Sequence, residues 1–345
     1  GLQVTTGVQN TIVGGLAGDA LTTGYNNVVM GVEALTTDTQ GAQNVAIGKS
    51  ALQNQNFTTA TTSYNTAVGM QAGAAVTTGI RNSLLGGEAG DALTDADDNV
   101  AVGALALSSD TLGSRSTAVG RGALKVQNFT TATNSLNTAV GYSAGEAVTT
   151  GVNNELFGAL AGDALTTGSN NQAFGRDALG ADTLGSQNVA IGRGALGSQN
   201  FTTATNVYNT AVGPSAGTAI TSGTSNTLIG GLCGDSMTTG SSNTAVGVHA
   251  IGSGTVTGSD NTAMGFNAGS SLTSGSNNLF LGHDTGITGS PGGAQTTASN
   301  VIFLGDENIT NIYAAVSSIG TSDERDKTDF TALDLGLDFV KKLNP

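Results

Sequence analysis

The stretch Asn65-Thr66-Ala67-Val68-Gly69-Met70-Gln71-Ala72 is the clearest copy of a motif, Asn-Thr-Ala-Val-Gly-x-x-Ala, that recurs along most of the 345-residue chain. The leading residue stands at Asn10, Asn27, Asn44, Asn65, Asn82, Asn99, Asn137, Asn154, Asn171, Asn188, Asn209, Asn226, Asn243, Asn261 and Asn278. Ser116 replaces the asparagine once, and a looser copy from Asn300 to Gly305 closes the array. Most steps equal that from Asn10 to Asn27 or the longer one from Asn44 to Asn65, and the whole series begins again at Asn82. Repetition of this kind is typical of a solenoid.

The residues within each copy favour short β-strands. An adjacent apolar pair, such as Ala46-Ile47, follows the asparagine and is itself followed by glycine. Thr-Thr-Gly, as at Thr22-Thr23-Gly24, supplies a turn before the next asparagine, which commonly caps a turn or stacks in a ladder. No 3.6-residue period occurs in the array, so helices are excluded there. A 17-residue copy at ~3.3 Å per residue gives a coil with a circumference of about 55 Å. About sixteen rungs, ~4.8 Å apart, give a rod with a length of roughly 75–80 Å.

The composition excludes several other classes of protein. Glycine occurs 53 times and tryptophan never, whereas ordinary globular cores are built around large aromatic and aliphatic side chains. The net charge of −14 and the pI of about 4.2 argue against nucleic-acid binding, which requires clustered Lys and Arg. We expect no membrane insertion, because no apolar stretch approaches the roughly 20 residues of a membrane span.

The adjacent apolar pair also predicts a partner. Neighbouring side chains of a strand point to opposite faces, so one member of each pair fills the coil and the other faces outward. The outward member is apolar in every copy, and we assign to it Val13, Met30, Val68, Phe157, Phe174, Ile229 and Phe280. Strands that are apolar on both faces are buried on both, and three coils around one axis would bury this stripe. We therefore expect a homotrimer, and either member of the pair could face its axis.

The longer steps carry one recurrent insert, Gln-Asn-Phe-Thr-Thr-Ala-Thr, at Gln55–Thr61, Gln127–Thr133 and Gln199–Thr205. Two interpretations of Phe57, Phe129 and Phe201 remain open: they lie at loop tips that make contacts, or they fold back to cover the coil. Cys233 stands where almost every other copy has alanine, which indicates a small core residue.

The motif resembles the head repeats of trimeric autotransporter adhesins and the repeat shafts of bacteriophage tail fibres. The resemblance covers residues 10–305 and implies a trimer of left-handed parallel β-rolls, here with longer periods than in most adhesin heads. The expected fold class is therefore all-β, a trimeric parallel β-roll or β-solenoid shaft of 17- and 21-residue rungs, with a short C-terminal helix.

The segment Thr321-Ser322-Asp323-Glu324-Arg325-Asp326-Lys327-Thr328 resembles the start of the C-terminal intramolecular chaperone of phage tail spikes and fibres. That chaperone assists trimerisation of the preceding fibre and then cuts itself off. The resemblance implies a scissile bond between Ser322 and Asp323, with Lys327 as the assisting base that a serine nucleophile needs. Asp326 departs from the family, which usually has an apolar residue there, and its carboxylate would favour the charged form of Lys327. The alternative for this segment is an ordinary exposed turn.

The sequence thus predicts three parts: a repeat shaft over 1–306, a connector over 307–321, and the incomplete start of the chaperone over 322–345. In the last part, Phe330, Leu333, Leu337, Val340 and Leu343 follow helical spacing. Apart from self-cleavage we expect no enzymatic activity, no cofactor and no metal. Asp19, Asp91, Asp163 and Asp235 recur once in each series of four copies and favour turn caps over a cation ring. His249 and His283 lack ligand partners at metal spacing.

The first functional hypothesis is a virion protein: the structural and adhesive shaft of a tail fibre, which positions the binding of a host cell-surface receptor, protein or glycan, and contacts other tail proteins. The second is a trimeric adhesin on a bacterial cell surface. The third, a tail spike that acts on capsular polysaccharide, would need a groove with paired carboxylates and usually aromatic platforms. Ice binding is disfavoured, because the threonines form no regular Thr-x-Thr face.

Overall fold

The described part of the chain is a coil of short parallel β-strands. The computed structural model describes residues 3–252 and 254–311. One compact unit spans Gly1–Glu307, and the described residues 308–311 belong to a second unit. No helix occurs within 3–252 or 254–311, and the predicted all-β solenoid is confirmed.

Each copy of the motif contributes one three-residue strand to a parallel sheet of 17 strands. These strands are Thr11–Val13, Val28–Met30, Val45–Ile47, Thr66–Val68, Ser83–Leu85, Val100–Val102, Thr117–Val119, Thr138–Val140, Glu155–Phe157, Gln172–Phe174, Val189–Ile191, Thr210–Val212, Thr227–Ile229, Thr244–Val246, Thr262–Met264, Leu279–Leu281 and Ile302–Leu304. Each pairs in register with the next along the chain, as Ala67 does with Ala46 and Leu84. Three two-stranded sheets accompany the inserts: Gly41–Ala42 with Thr61–Thr62, Gly113–Ser114 with Thr133–Asn134, and Gly185–Ser186 with Thr205–Asn206.

The glycine that follows each strand is a steric requirement. Gly69 has a φ of 142°, which L side chains rarely adopt. A Cβ at Gly69 would collide with the carbonyl oxygen of Gly86 in the next rung. The colliding atom is backbone, so relief would require the rungs to separate. This column of glycines therefore ends the strands after three residues and allows the rungs to stack closely.

The middle residue of each strand points into the coil, and we call these residues the inner column. Ala67 and Leu84 are fully buried there. They pack against the alanines that follow the glycine, such as Ala72 and Ala89, in one continuous hydrophobic cluster. A narrow interior filled by Ala, Val and Leu accounts for a chain that has apolar content but no tryptophan.

The asparagine that opens each motif forms a buried ladder along the coil. The backbone N–H of Asn27 donates to Asn10 Oδ1 at 3.0 Å, and Asn44 donates in the same way to Asn27 Oδ1 at 2.9 Å. The Asn27 Nδ2 group also donates to the carbonyl oxygen of Gly41 at 3.0 Å. The Asn27 side chain thus satisfies backbone groups of two rungs, which offsets the cost of burying an amide. The ladder is interrupted at Asn188, whose Oδ1 is buried without a hydrogen-bond partner.

The closing copy is shifted by one residue from the sequence prediction. The strand Ile302–Leu304 pairs with Leu279–Leu281. Val301 therefore takes the ladder place, and its backbone N–H donates to Asn278 Oδ1 at 3.2 Å. Asn300 lies one position earlier, with a φ of 62°. The spacing to Gly305, one residue longer than from Asn65 to Gly69, is the signal in the sequence for this shift.

Candidate functional surfaces

The last residue of each long-sheet strand points outward, and we call these residues the outer column. Their exposed apolar members range from Phe174, 37 % exposed, to Val13, 56 % exposed. The predicted outward apolar stripe is therefore confirmed for the second member of each apolar pair. The assignment of Phe280 was wrong: Phe280 is paired with Ala263 of the inner column and is fully buried. Leu281 is the outward residue of that strand, because Phe280 is the middle one of three.

The outer column is continuous and self-packed along the coil. The rings of Phe157 and Phe174 stack with centroids 4.9 Å apart and planes inclined by 5°. The first residue of each strand also points outward and forms a flanking column of mixed character. Thr66 lies in this flanking column, as do Glu155 and Gln172, whose side chains hydrogen-bond at 2.9 Å. An apolar stripe with a partly polar border is the pattern of a binding interface.

The phenylalanines of the three inserts cover the coil. Phe57, Phe129 and Phe201 are only 6–8 % exposed. The carbonyl oxygen of Phe57 accepts a hydrogen bond from Thr39 Oγ1 at 2.8 Å. The second of the two interpretations is therefore confirmed, and the exposed tips are formed by Thr-Thr-Ala, as at residues 58–60.

A buried polar network that the sequence did not predict lies beneath each insert. Asp38 Oδ1 accepts the backbone N–H groups of Gly41 at 3.0 Å and Phe57 at 3.1 Å, and Oδ2 accepts Gln55 Nε2 at 2.7 Å. Gln55 Oε1 in turn accepts Asn65 Nδ2 at 2.8 Å, which joins the network to the ladder. Burial raises the pKa of the fully buried Asp38 carboxyl, although these hydrogen bonds oppose the shift.

The same network recurs under the second and third inserts. Gln127 donates to Asp110 at 2.5 Å and accepts from Asn137 at 2.8 Å. Gln199 donates to Asp182 at 2.6 Å and accepts from Asn209 at 2.8 Å. An Asp-Thr pair stands one rung before each Gln-Asn-Phe, and this recurrence is the sequence signal that could have revealed the network.

The remaining candidate residues form no catalytic or metal centre in the described segments. One carboxylate oxygen each of Asp19, Asp91 and Asp235 is buried without a hydrogen-bond partner. Burial raises the pKa of Asp91 and Asp235, as it does for Asp163. Across residues 3–252 and 254–311, no group of three His, Cys, Asp or Glu residues is placed to hold a metal ion.

The cysteine and the histidines have ordinary structural surroundings. Cys233 is a buried core residue, as predicted, and burial raises its pKa to about 12. The His283 ring stacks on Phe266, and its Nδ1 lies 3.1 Å from Asp284 and 3.5 Å from Asp306. His249 is near enough to Asp235 to lower the pKa of that carboxyl slightly, against the larger effect of burial.

Shallow concavities lie beside the ladder. The residues immediately before the ladder positions form a rim column, and the concavities lie between this rim column and the flanking column. One concavity of about 490 Å³ is lined by Asn170, Gln187 and Tyr208 of the rim column and by Gln172 of the flanking column. A second, of about 400 Å³, lies between the same two columns near Asn277.

The predicted self-cleavage residues Ser322, Asp323 and Lys327, and the predicted helix over 330–343, lie outside the described residues. In the part of the chain that the structure describes, no helix has the length and apolar character needed to cross a membrane. No protein-family model and no curated protein matches the chain.

Proposed function

We propose that the chain is the shaft of a trimeric bacteriophage tail fibre, which positions host-receptor binding on the virion. The observation that carries this proposal is the outer column, which is apolar from Val13 to Leu304 and exposed or half-buried at every level of the long sheet. Isolated soluble chains rarely expose a contiguous apolar patch larger than a few hundred Å². A stripe of this length therefore needs a partner of equal length.

The partner that matches the stripe is another copy of the same chain. A sheet of 17 strands has 16 intervals, and at ~4.8 Å per interval and about 10 Å of strand width the stripe covers roughly 770 Å². That area is close to the ~800 Å² that each partner contributes to a standard stable interface. A second copy in register presents the same spacing and the same apolar residues at each level. Three copies around one axis bury each outer column and leave the flanking columns at the border, as the resemblance to trimeric fibres implies.

The oligomeric state tests the shaft directly. Sedimentation equilibrium of the chain should give three times its mass of 33.8 kDa. Ile191→Asp introduces a charge into the outer column and should dissociate the trimer. Val126→Asp is the matched control, since Val126 is 41 % exposed against 40 % for Ile191 but belongs to neither outward column. A monomeric or dimeric wild-type chain, or equal effects of both substitutions with the β-sheet circular dichroism retained, would overturn the trimeric shaft.

The maturation step is a separate part of the proposal. In a polypeptide that carries a complete chaperone, Lys327 as base takes the proton of the Ser322 hydroxyl, which attacks the carbonyl carbon of the Ser322–Asp323 peptide bond. That bond breaks, the amine of Asp323 leaves with the proton, and water hydrolyses the resulting ester, so that the chain ends at Ser322. Intact-mass spectrometry of the purified fibre should show chains that end at Ser322, and Ser322→Ala should abolish the cut. An uncut wild-type chain would remove self-cleavage while leaving the shaft to stand on the sedimentation result. Detection of the chain in purified virions, rather than on the bacterial cell surface, separates the fibre from an adhesin.

A further inference from the structure

The rim column carries the same three residues in two of the three insert-bearing regions. Asn26, Gln43 and Tyr64 follow one another there in successive rungs, and Asn170, Gln187 and Tyr208 repeat the series in the third region. At the corresponding places the middle region has Asp98, Arg115 and Leu136. The surrounding strands keep the same length and register in the three regions, so this substitution changes the surface and leaves the coil intact.

The middle region fills its rim with charge pairs. Arg81 Nε lies 2.5 Å from Asp98, and Arg115 lies 4.0 Å from the same carboxylate. The first and third regions have neutral amides in place of these ion pairs. The rim on both sides of Tyr208 is therefore uncharged, whereas Tyr64 is followed in the next rung by Arg81 and the rim before Leu136 is ionic.

The two tyrosines of the rim column are largely exposed. Tyr64 and Tyr208 are 56 % and 54 % exposed, with φ values of 51° and 58°. A positive φ is tolerated by Asn but is unfavourable for a bulky aromatic residue. More than half of each residue is exposed, so a large part of the ring is available to a ligand. Leu136 holds the same place with a φ of 52° and without an aromatic ring.

The chemistry of the concavity at Tyr208 is that of a saccharide site. Asn170, Gln172 and Gln187 offer amide groups that donate and accept hydrogen bonds, as hydroxyl-bearing ligands require, and all three line the concavity beside Tyr208. The tyrosine adds an apolar ring face and a hydroxyl. From the Asn170 rung to the Tyr208 rung is two intervals, roughly 10 Å, about the length of a disaccharide. Glu155, which is hydrogen-bonded to Gln172, places a carboxylate nearby and disfavours acidic sugars.

We propose that the concavity at Tyr208 is a subsite for a neutral saccharide, which lies along the coil with a sugar ring against the tyrosine and its hydroxyls on the rim amides, and that the matching rim surface at Tyr64 is a weaker copy of it. The Tyr64 copy is weaker because Val28 stands there at the place that Gln172 occupies beside Tyr208. This inference rests on the proposed function, since it assigns part of host attachment to the shaft itself. The flanking column lies between the rim column and the outer column. Burial of the outer column in the trimer therefore leaves the rim column open.

The test uses the trimeric chain and two immobilised panels of tetrasaccharides, one of neutral α- and β-linked glucose, galactose and mannose, and one of the same chains capped with sialic acid. We expect binding to at least one neutral member. Tyr64→Leu with Tyr208→Leu, which copies the middle region, should weaken that binding about tenfold or more. Tyr142→Leu removes an equally exposed ring from a different column and should leave it unchanged.

A gain of binding provides the converse test. Asp98→Asn, Arg115→Gln and Leu136→Tyr together copy the first and third regions into the middle one and should strengthen binding through a third subsite. Failure of every neutral saccharide to bind a verified trimer, preference for the sialylated panel, or indifference to the tyrosine substitutions would each overturn the saccharide sites while the shaft stands. Sedimentation equilibrium on each variant keeps a failure of the trimer distinct from a failure of the saccharide sites.

Discussion

Two kinds of rung fill the same core in different ways. Leu52 and Gly73 hold equivalent places in consecutive rungs, since their N–H groups donate to Ala72 O and Ala89 O. In the Gly73 rung, the apolar side chain comes three residues later, from the fully buried Val76. In the Leu52 rung the leucine fills the core instead, and the polar Gln55 takes the place of the valine.

This difference explains why a longer period lies over the single-rung repeat. The coil needs one large apolar group in this part of each rung, and either place can supply it. Where the leucine supplies it, the other place is free for Asp38 and Gln55, whose hydrogen bonds hold the insert and the ladder together. The polar network thus depends on a leucine with a φ of 49°, an uncommon conformation outside glycine.

The largest expected effect is that of placing a large apolar side chain at both core positions of one rung. A Cβ added at Gly73 would lie 2.7 Å from Leu84 Cδ1 and 3.3 Å from Val76 Cγ2. Gly73→Leu should therefore destabilise that rung by about 4 kcal/mol, from overpacking and from the left-handed backbone. Hydrogen exchange of the local amides measures this as a free energy of opening. Adding Val76→Ala should recover about half of the lost free energy of opening. If it recovers none, positions 73 and 76 do not substitute for each other in filling the core.

Removal of the leucine should cost slightly less. Leu52→Ala deletes a fully buried side chain and should destabilise its rung by about 3 kcal/mol. The matched control is Leu136→Ala, which shortens a leucine that also has a positive φ but is 49 % exposed, and it should change the free energy of opening by less than about 0.5 kcal/mol. Equal costs at the two sites would mean that burial does not determine which leucines matter.

The sequence predicted the array better than the details within a rung. The adjacent pair Ala67 and Val68 was enough to predict strands and an outward apolar stripe, because neighbouring side chains of a strand point to opposite faces. Phe280 was misassigned because its strand, Leu-Phe-Leu, is apolar at all three places, so composition alone gives no direction. The Asp38 network was missed because a buried carboxylate is ordinarily improbable, and only the coordinates show that backbone amides surround it.

The polar network should make a moderate contribution to the free energy of opening of its rung. Gln55→Leu would leave Asp38 Oδ2 without its donor and Asn65 Nδ2 without its acceptor. We expect a loss of about 2 kcal/mol, the cost of leaving buried polar groups unsatisfied, seen as faster exchange of the Phe57 amide. Gln53→Leu, in the same rung but only partly buried, is the control. The double change Asp38→Leu with Gln55→Leu should cost more than Gln55→Leu alone, since it also removes the acceptor of the Gly41 and Phe57 N–H groups; an equal or smaller cost would contradict this account.

The smallest effect, and the sharpest contrast, is the response to pH. Burial raises the pKa of Asp38, so the folded carboxyl holds its proton more firmly than the unfolded one, whose ordinary value is 3.8. Acidification from neutral pH toward that value should therefore increase the protection of the Asp38 rung. The Arg81 guanidinium lowers the pKa of Asp98, so that pair stabilises above 3.8 and loses its contribution as the pH falls further. Protection factors are compared at pH 7, 5 and 3, which are chosen to bracket these changes. As the pH is lowered, the protection of the Phe57 amide should rise first, and the protection of amides near Asp98 should fall only at the lowest pH. Asp38→Asn should abolish only the rise; if the rise persists in that variant, the buried carboxylate is not its source.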